Sequence, residues 1–193
     1  MKQAKYYLGL LALVIMLSGC TTRRSEVVIT NNCTAALEIN FEENPITLAR
    51  NQSYEESYLL DELLFFQETK ELKIAYDGFI YLAAADYTFT LQPDQSKQLI
   101  LENNRAGIEI NNLAEIPIAE IRLRPIDSEQ WSENYLQQPT VADNFSLSAK
   151  AEAVDLKLID STERVFVLND TINLQVGQTA LLFFDSFSLI YAE

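Results

Sequence analysis

Four short stretches of this chain recur within it in the same order, and a recurrence of this spacing permits few architectures. Residues 29–34, centred on Asn31 and Asn32, match 109–114, centred on Asn111 and Asn112, at an offset of 80. Residues 48–54 resemble 141–147 at an offset near 93. Leu72, Lys73 and Ile74 match Leu156, Lys157 and Leu158 at 84, and residues 91–95 match 174–178 at 83. The middle offsets require about 13 extra residues in the second copy and about 9 in the first. A period near 80 is too long for a solenoid repeat. In a chain of 193 residues it fits two small domains, expected over 26–104 and 105–193.

Both copies read as β-structure. Short runs of Val, Ile, Leu, Phe, Tyr and Thr are broken at intervals by Asn, Asp, Gly and Pro. Asp77-Gly78 between two such runs predicts a tight hairpin, because a type I′ turn needs positive φ at both central residues. Pro93-Asp94 and Val176-Gly177 predict matched turns before the last strand of each copy. Beyond residue 20 only Gly78, Gly107 and Gly177 remain, so asparagines are expected at several left-handed positions. The expected fold class is all-β: two tandem Ig-like β-sandwiches, each too small to bury much surface alone.

The N-terminus carries a different signal. Lys2 and Lys5 precede a twelve-residue apolar run from Tyr6 to Leu17, broken only by Gly9. That run is too short to span a hydrocarbon core of about 30 Å and suits the h-region of a signal peptide. It ends in Leu17-Ser18-Gly19-Cys20, which resembles the lipobox of bacterial lipoproteins. The resemblance implies cleavage after residue 19 and covalent lipid on Cys20 as the only non-protein group, with no other cofactor. It also implies a membrane as partner. Thr21 stands where an Asp would favour retention at the inner membrane, so the resemblance implies the outer membrane, periplasmic or surface-facing. Residues 20–25 are expected to be a short lipidated tether, with Arg23 and Arg24 either beside anionic headgroups or merely solvated. Lipid on Cys20 leaves Cys33 without an intramolecular partner; it reads as a small buried hydrophobe, or as an intermolecular disulfide or reactive thiol.

Composition removes several function classes. The formal charge is -14, and each half is acidic: 4 basic against 14 acidic side chains over 26–104, and 6 against 14 over 105–193. Such a chain lacks the cations that neutralise phosphates, so nucleic acid is not an expected partner. With no histidine there is no Ser-His-Asp or Cys-His catalysis and no His-ligated metal. No Walker A, dinucleotide-binding Gly pattern, nucleophile elbow, Cys-x-x-Cys or EF-hand pattern occurs. The acidic pairs Glu42-Glu43, Glu55-Glu56 and Asp61-Glu62 are adjacent, and adjacent strand residues point to opposite faces. They are not dyads by themselves, and no catalytic residue and no metal site is expected.

In the second copy, a strand ending in Pro125 is followed by Ser128-x-x-Trp131 and Asn134-x-Leu136. This resembles a small β-domain recurrent in bacterial exported proteins, over roughly residues 106–182. Ser132 replaces the usual Gly after the Trp. The candidate contact residues are then few. Residues 59–66 are the most apolar stretch beyond the leader. Leu59, Leu60, Leu63, Leu64 and Phe66, with Phe65 beside them, form either a short helix with one apolar face or two strands. They are either core or a partner-facing patch. Trp131, the single tryptophan, and Tyr135 are either packing residues or stacking platforms. The expected role is a non-enzymatic lipoprotein that scaffolds or binds an envelope or extracellular protein. The alternative is a carbohydrate-binding module built on Trp131 and Tyr135.

Overall fold

The computed structural model describes residues 21–63, 66–141, 143–185 and 188–191, with the side chains of Leu63 and Tyr191 also left aside. Residues 1–20, on which the expected leader and Cys20 fall, and Leu64 and Phe65 therefore lie outside the described residues. Among those described there is no helix, so none is long and apolar enough to cross a membrane. The chain is all-β. It divides into two compact units, one ending at Glu102 and the other formed by Gly78–Ala84 with Asn103–Glu193. The chain thus passes between units three times, because the connection after Tyr76 belongs to unit 2 while the strands flanking it belong to unit 1.

Unit 1 contains β1 (Thr21–Asn31), β2 (Leu37–Phe41), β3 (Asn44–Leu48), β4 (Ser53–Leu63), β5 (Phe66–Gln67), β6 (Lys70–Tyr76), β7 (Ala85–Leu91) and β8 (Ser96–Leu101). They form two four-stranded sheets, β5-β4-β1-β8 and β3-β2-β6-β7. β1 pairs antiparallel with β4 and parallel with β8. The period-2 pattern turns Val27 and Ile29, Ile39 and Phe41, and Leu72 and Ile74 inward, all nearly fully buried. Phe41 meets Tyr54 edge to face, 5.7 Å between ring centroids, joining the two sheets.

Unit 2 contains β9 (Arg105–Asn112), β10 (Ile118–Pro125), β11 (Asn144–Lys150), β12 (Ala153–Asp160), β13 (Val165–Val167), β14 (Ile172–Asn173), β15 (Thr179–Phe184) and β16 (Leu189–Tyr191). One sheet runs β11-β9-β15-β16; the other runs β10-β12-β13, with β14 also on β12. β9 pairs antiparallel with β11 and parallel with β15, as β1 does with β4 and β8. Both sheets contribute to one apolar core, from Ile108, Ile110 and Leu182 on one side to Ile121, Leu156 and Ile172 on the other.

A buried asparagine closes the first strand of each unit. Asn31 donates from Nδ2 to the carbonyls of Ala35 and Leu48, and accepts the Cys33 N–H at Oδ1. Asn112 donates from Nδ2 to the Ile116 carbonyl, again four residues on. These two are structural counterparts, so the offset here is 81; the sequence match at 80 had paired Asn31 with Asn111. The difference matters because one residue of slip reverses every side chain on a strand.

Several local expectations change. Residues 21–25, expected as a tether, are the start of β1 and pair with β4 from Thr21 opposite Glu62 onward. The strand survives there because β4 extends far enough to supply partners. β6 and β7 do form a hairpin, but an eight-residue connection replaces a tight Asp77-Gly78 turn. Gly78 does not have positive φ. It is needed for close approach, since a Cβ would lie 2.6 Å from both the Ala84 nitrogen and the Leu82 oxygen. The two-residue turn with positive φ at both positions is instead Glu42-Glu43, between β2 and β3. It is anchored to β6, because the Lys73 N–H donates to Glu42 Oε1 at 2.7 Å. Left-handed positions fall to Glu42, Glu43, Glu115 and Glu163, with Asn51 the one asparagine among the described residues. Asp94 and Gly177, in the two matched turns, share this conformation at φ 58° and 74°.

Candidate functional site

The described residues of the apolar stretch, 59–63 and 66, are strand. β4 is held straight by ten successive pairings with β1, so Leu59 and Leu60 leave on opposite faces. Leu60 is buried, whereas Leu59 and, on β5, Phe66 are largely exposed. Leu63 ends β4 opposite Phe66. Strand periodicity thus sends Leu60 to the core and Leu59 to solvent, in place of the one apolar face expected of a helix. On the exposed face Leu59 lies opposite Arg24, whose guanidinium donates to Ser57 Oγ at 2.9 Å.

Trp131 and Tyr135 sit in the segment after β10, and that segment has a structural task. β10 is an edge strand, and its outer backbone groups need partners. Ser132 N–H donates to the Leu123 carbonyl at 2.8 Å, while Ser132 Oγ accepts the Leu123 N–H at 3.0 Å. Asn134 Oδ1 accepts the Ile121 N–H at 2.9 Å, Asn134 Nδ2 donates to the Ala119 carbonyl, and Tyr135 N–H donates to the Ile121 carbonyl. Side chains thus complete a ladder that an irregular backbone cannot. Trp131, half-buried, lies over the outer face of this sheet. Arg124 stands 4.8 Å and Lys157 4.6 Å from its ring centroid. Arg124 also holds Asp155 through two nitrogens, at 2.6 and 3.2 Å. The indole is therefore engaged by cations of its own unit, while Tyr135 is exposed.

Other titratable groups serve the fold. Cys33 is fully buried, its thiol pushed up by burial and then by the nearby Glu102 carboxylate. That environment disfavours the reactive thiolate. Glu56 accepts from the Tyr54 hydroxyl at 2.5 Å, and this bond, with burial, raises the phenol to about 12. Among the described residues no cluster of acidic and sulfur side chains is suited to a metal ion.

The site that sequence reasoning missed is a groove of about 230 Å³ in unit 1, lined by Val27, Tyr87, Thr88, Phe89, Lys97, Gln98 and Leu99. Its walls are β7 and β8, the edge strands of the two sheets, each hydrogen-bonded to a single neighbour. Phe89 and Leu99 point inward but are only half-buried, and inward-facing Tyr87 is 42% exposed. Tyr87 is steadied by Tyr76, with ring centroids 6.1 Å apart. Lys97 stands at the rim with no ion pair among the described residues. The lining includes no carboxylate, so the arrangement suits contact with an apolar segment rather than acid–base chemistry. The alternating pattern of β7 and β8 was legible in the sequence; that no described residue covers the groove was not.

These features define an all-β protein of two sandwich units, with a groove in the first that no described residue covers. No protein-family model and no curated protein matches the chain. Among solved structures it is similar to the tip fimbrial protein Mfa3 from Porphyromonas gingivalis, at 7% identity over 89% of this chain and 99% of that one, with a TM-score of 0.37. It is also similar to GBS52, the minor pilin of Streptococcus agalactiae, at 5% identity over 83% and 94%, TM-score 0.28. Against the Bacillus anthracis TIE protein the identity is 9% and the TM-score 0.33; 84% of this chain is matched but it spans only 34% of that protein. At such values these likenesses transfer no property to this chain.

Proposed function

We propose that this protein is a non-enzymatic lipoprotein, anchored at the bacterial outer membrane through Cys20, whose first unit binds another protein at the envelope. The anchor rests on the leader sequence: a basic flank, an apolar run and Leu17-Ser18-Gly19-Cys20. The binding role rests on one structural observation, the groove between β7 and β8 with core-type side chains left open to solvent. Thr21 already pairs with Glu62. A lipid on Cys20 would then hold the β1–β4 end of unit 1 at the bilayer, with Leu59 and Phe66 nearby as apolar contacts.

Two measurements in intact cells test this reading. Labelled palmitate should enter the wild-type chain, and Cys20→Ala should lose both label and membrane association. A photo-crosslinking residue in place of Tyr87 should give a discrete adduct with an envelope protein, and one in place of Asp170 should not. An unlabelled wild-type chain would remove the anchor, and equal adducts from both positions would remove the binding site.

A further inference from the structure

The two units answer the same edge differently. In unit 2 the edge of β15 is covered by β16, which pairs antiparallel with it: Leu182 opposite Tyr191, Phe183 opposite Ile190, Phe184 opposite Leu189. In unit 1 the counterpart of β15 is β8. Each runs parallel to the first strand of its unit, and Leu99 stands beside Ile29 as Leu182 stands beside Ile110. Nothing among the described residues covers β8 on that side, and the groove lies there.

We propose that the groove takes an extended segment of a partner protein, added to β8 as an antiparallel strand in the way β16 is added to β15. The proposal deepens the binding role given above and rests on it. Main-chain bonds to the bare edge would supply affinity, and alternate side chains specificity. The required chemistry is legible from the lining. The segment presents apolar side chains toward Val27, Phe89 and Leu99, and a carboxylate beside Lys97, the one cation in the lining and without an ion pair among the described residues. The β16 of a second copy is not the favoured occupant. It is held on its own β15, where Leu189 is buried, and the two copies are alike in their acidity.

The natural strand on β15 provides the probe: a labelled peptide with the sequence of residues 186–193, added to the full chain purified in detergent. The register of β16 carried onto β8 sets peptide Tyr191 opposite Leu99 and peptide Glu193 opposite Lys97. Fluorescence anisotropy should show saturable binding. Lys97→Glu should weaken it about fivefold, and a Glu193→Lys peptide should recover that loss. Leu99→Asp should abolish binding with circular dichroism unchanged; should Leu99→Asp fail to fold, the charge exchange at Lys97 decides alone. No binding at about 1 mM peptide, where even weak strand addition would register, overturns the proposal. Affinity indifferent to Lys97→Glu also overturns it, as does concentration-dependent self-association that the peptide disperses, which would make a second copy the occupant. Persistence of the Tyr87 adduct in cells alongside a negative peptide result leaves the binding role standing and removes strand addition.

Discussion

Leu99 and Leu182 occupy the same place in two sandwiches of the same pairing pattern, yet one is only half-buried and the other fully buried. Their rows differ in the same way: Lys97, Leu99 and Leu101 face inward on β8, and Ala180, Leu182 and Phe184 on β15. In unit 2 the row is sealed by β16 and by Phe166, whose ring lies 4.8 Å from that of Phe184. Unit 1 spends its extra strand on the opposite side of the same sheet, where β5 adds to β4. The lesson is that a shared topology does not fix which edges are closed. That depends on where a few additional residues are placed, and an edge left bare over an apolar row is a surface for association.

Truncation should separate the units most strongly. Leu182→Ala should cost about 3 kcal/mol in chemical denaturation, as expected for a cavity in a closed core, and Leu99→Ala less than about 1.5 kcal/mol. Equal losses would mean that the groove is filled in solution. Trp131, the only tryptophan, lies in unit 2, so its fluorescence follows that unit while circular dichroism follows both.

The buried asparagines should differ next. Asn31 has partners for both ends of its amide, whereas Asn112 Oδ1 has none in the described structure. Asn31→Ala should therefore destabilise by about 2–3 kcal/mol and Asn112→Ala by about 1 kcal/mol, measured by urea unfolding. The opposite order would show that Asn112 Oδ1 is satisfied in solution.

Acid should distinguish the units as well. Asp160, at the end of β12, is raised by burial, but bonds from Thr162 and Arg164 outweigh this and hold its carboxyl down to about 2. The folded state therefore favours the ionised form. The stability this gives is complete above the ordinary carboxyl value of 3.8 and is lost as pH falls toward 2. No other carboxylate is buried among the described residues. The Trp131-reported midpoint should fall between pH 4 and 2 in wild type and flatten in Asp160→Asn. The smallest effect belongs to the exposed apolar residues of β4 and β5. Leu59→Ser and Phe66→Ser should each change stability by no more than about 0.5 kcal/mol. If the anchor reading holds, they should still loosen membrane association.

How much was legible follows physical lines. Alternation of β-branched and aromatic residues marked the strands because burial on one face imposes a period of 2 whatever the sequence around it. The turns at Asp94 and Gly177 were visible because their residue types tolerate a left-handed backbone. The turn at Glu42-Glu43 was hidden: it is stabilised by the Lys73 N–H, on a strand some thirty residues away. The apolar run 59–66 is ambiguous between helix and strand in the sequence, since short apolar runs satisfy both periods, and pairing with β1 makes residues 59–62 strand. Trp131 drew attention as a platform, but Arg124 and Lys157 reach it only across a folded sheet.

The sequence by itself determined the fold class, the acidic composition and the absence of histidine chemistry, because these depend on local periodicity and composition. Tertiary structure alone decided which residues meet. It placed the Asn31 counterpart at Asn112, drew residues 21–25 into a strand and, among the described residues, left the outer edge of β8 unpaired while β16 covered that of β15. Edge closure is a relation between strands distant in the chain, and no local pattern encodes it.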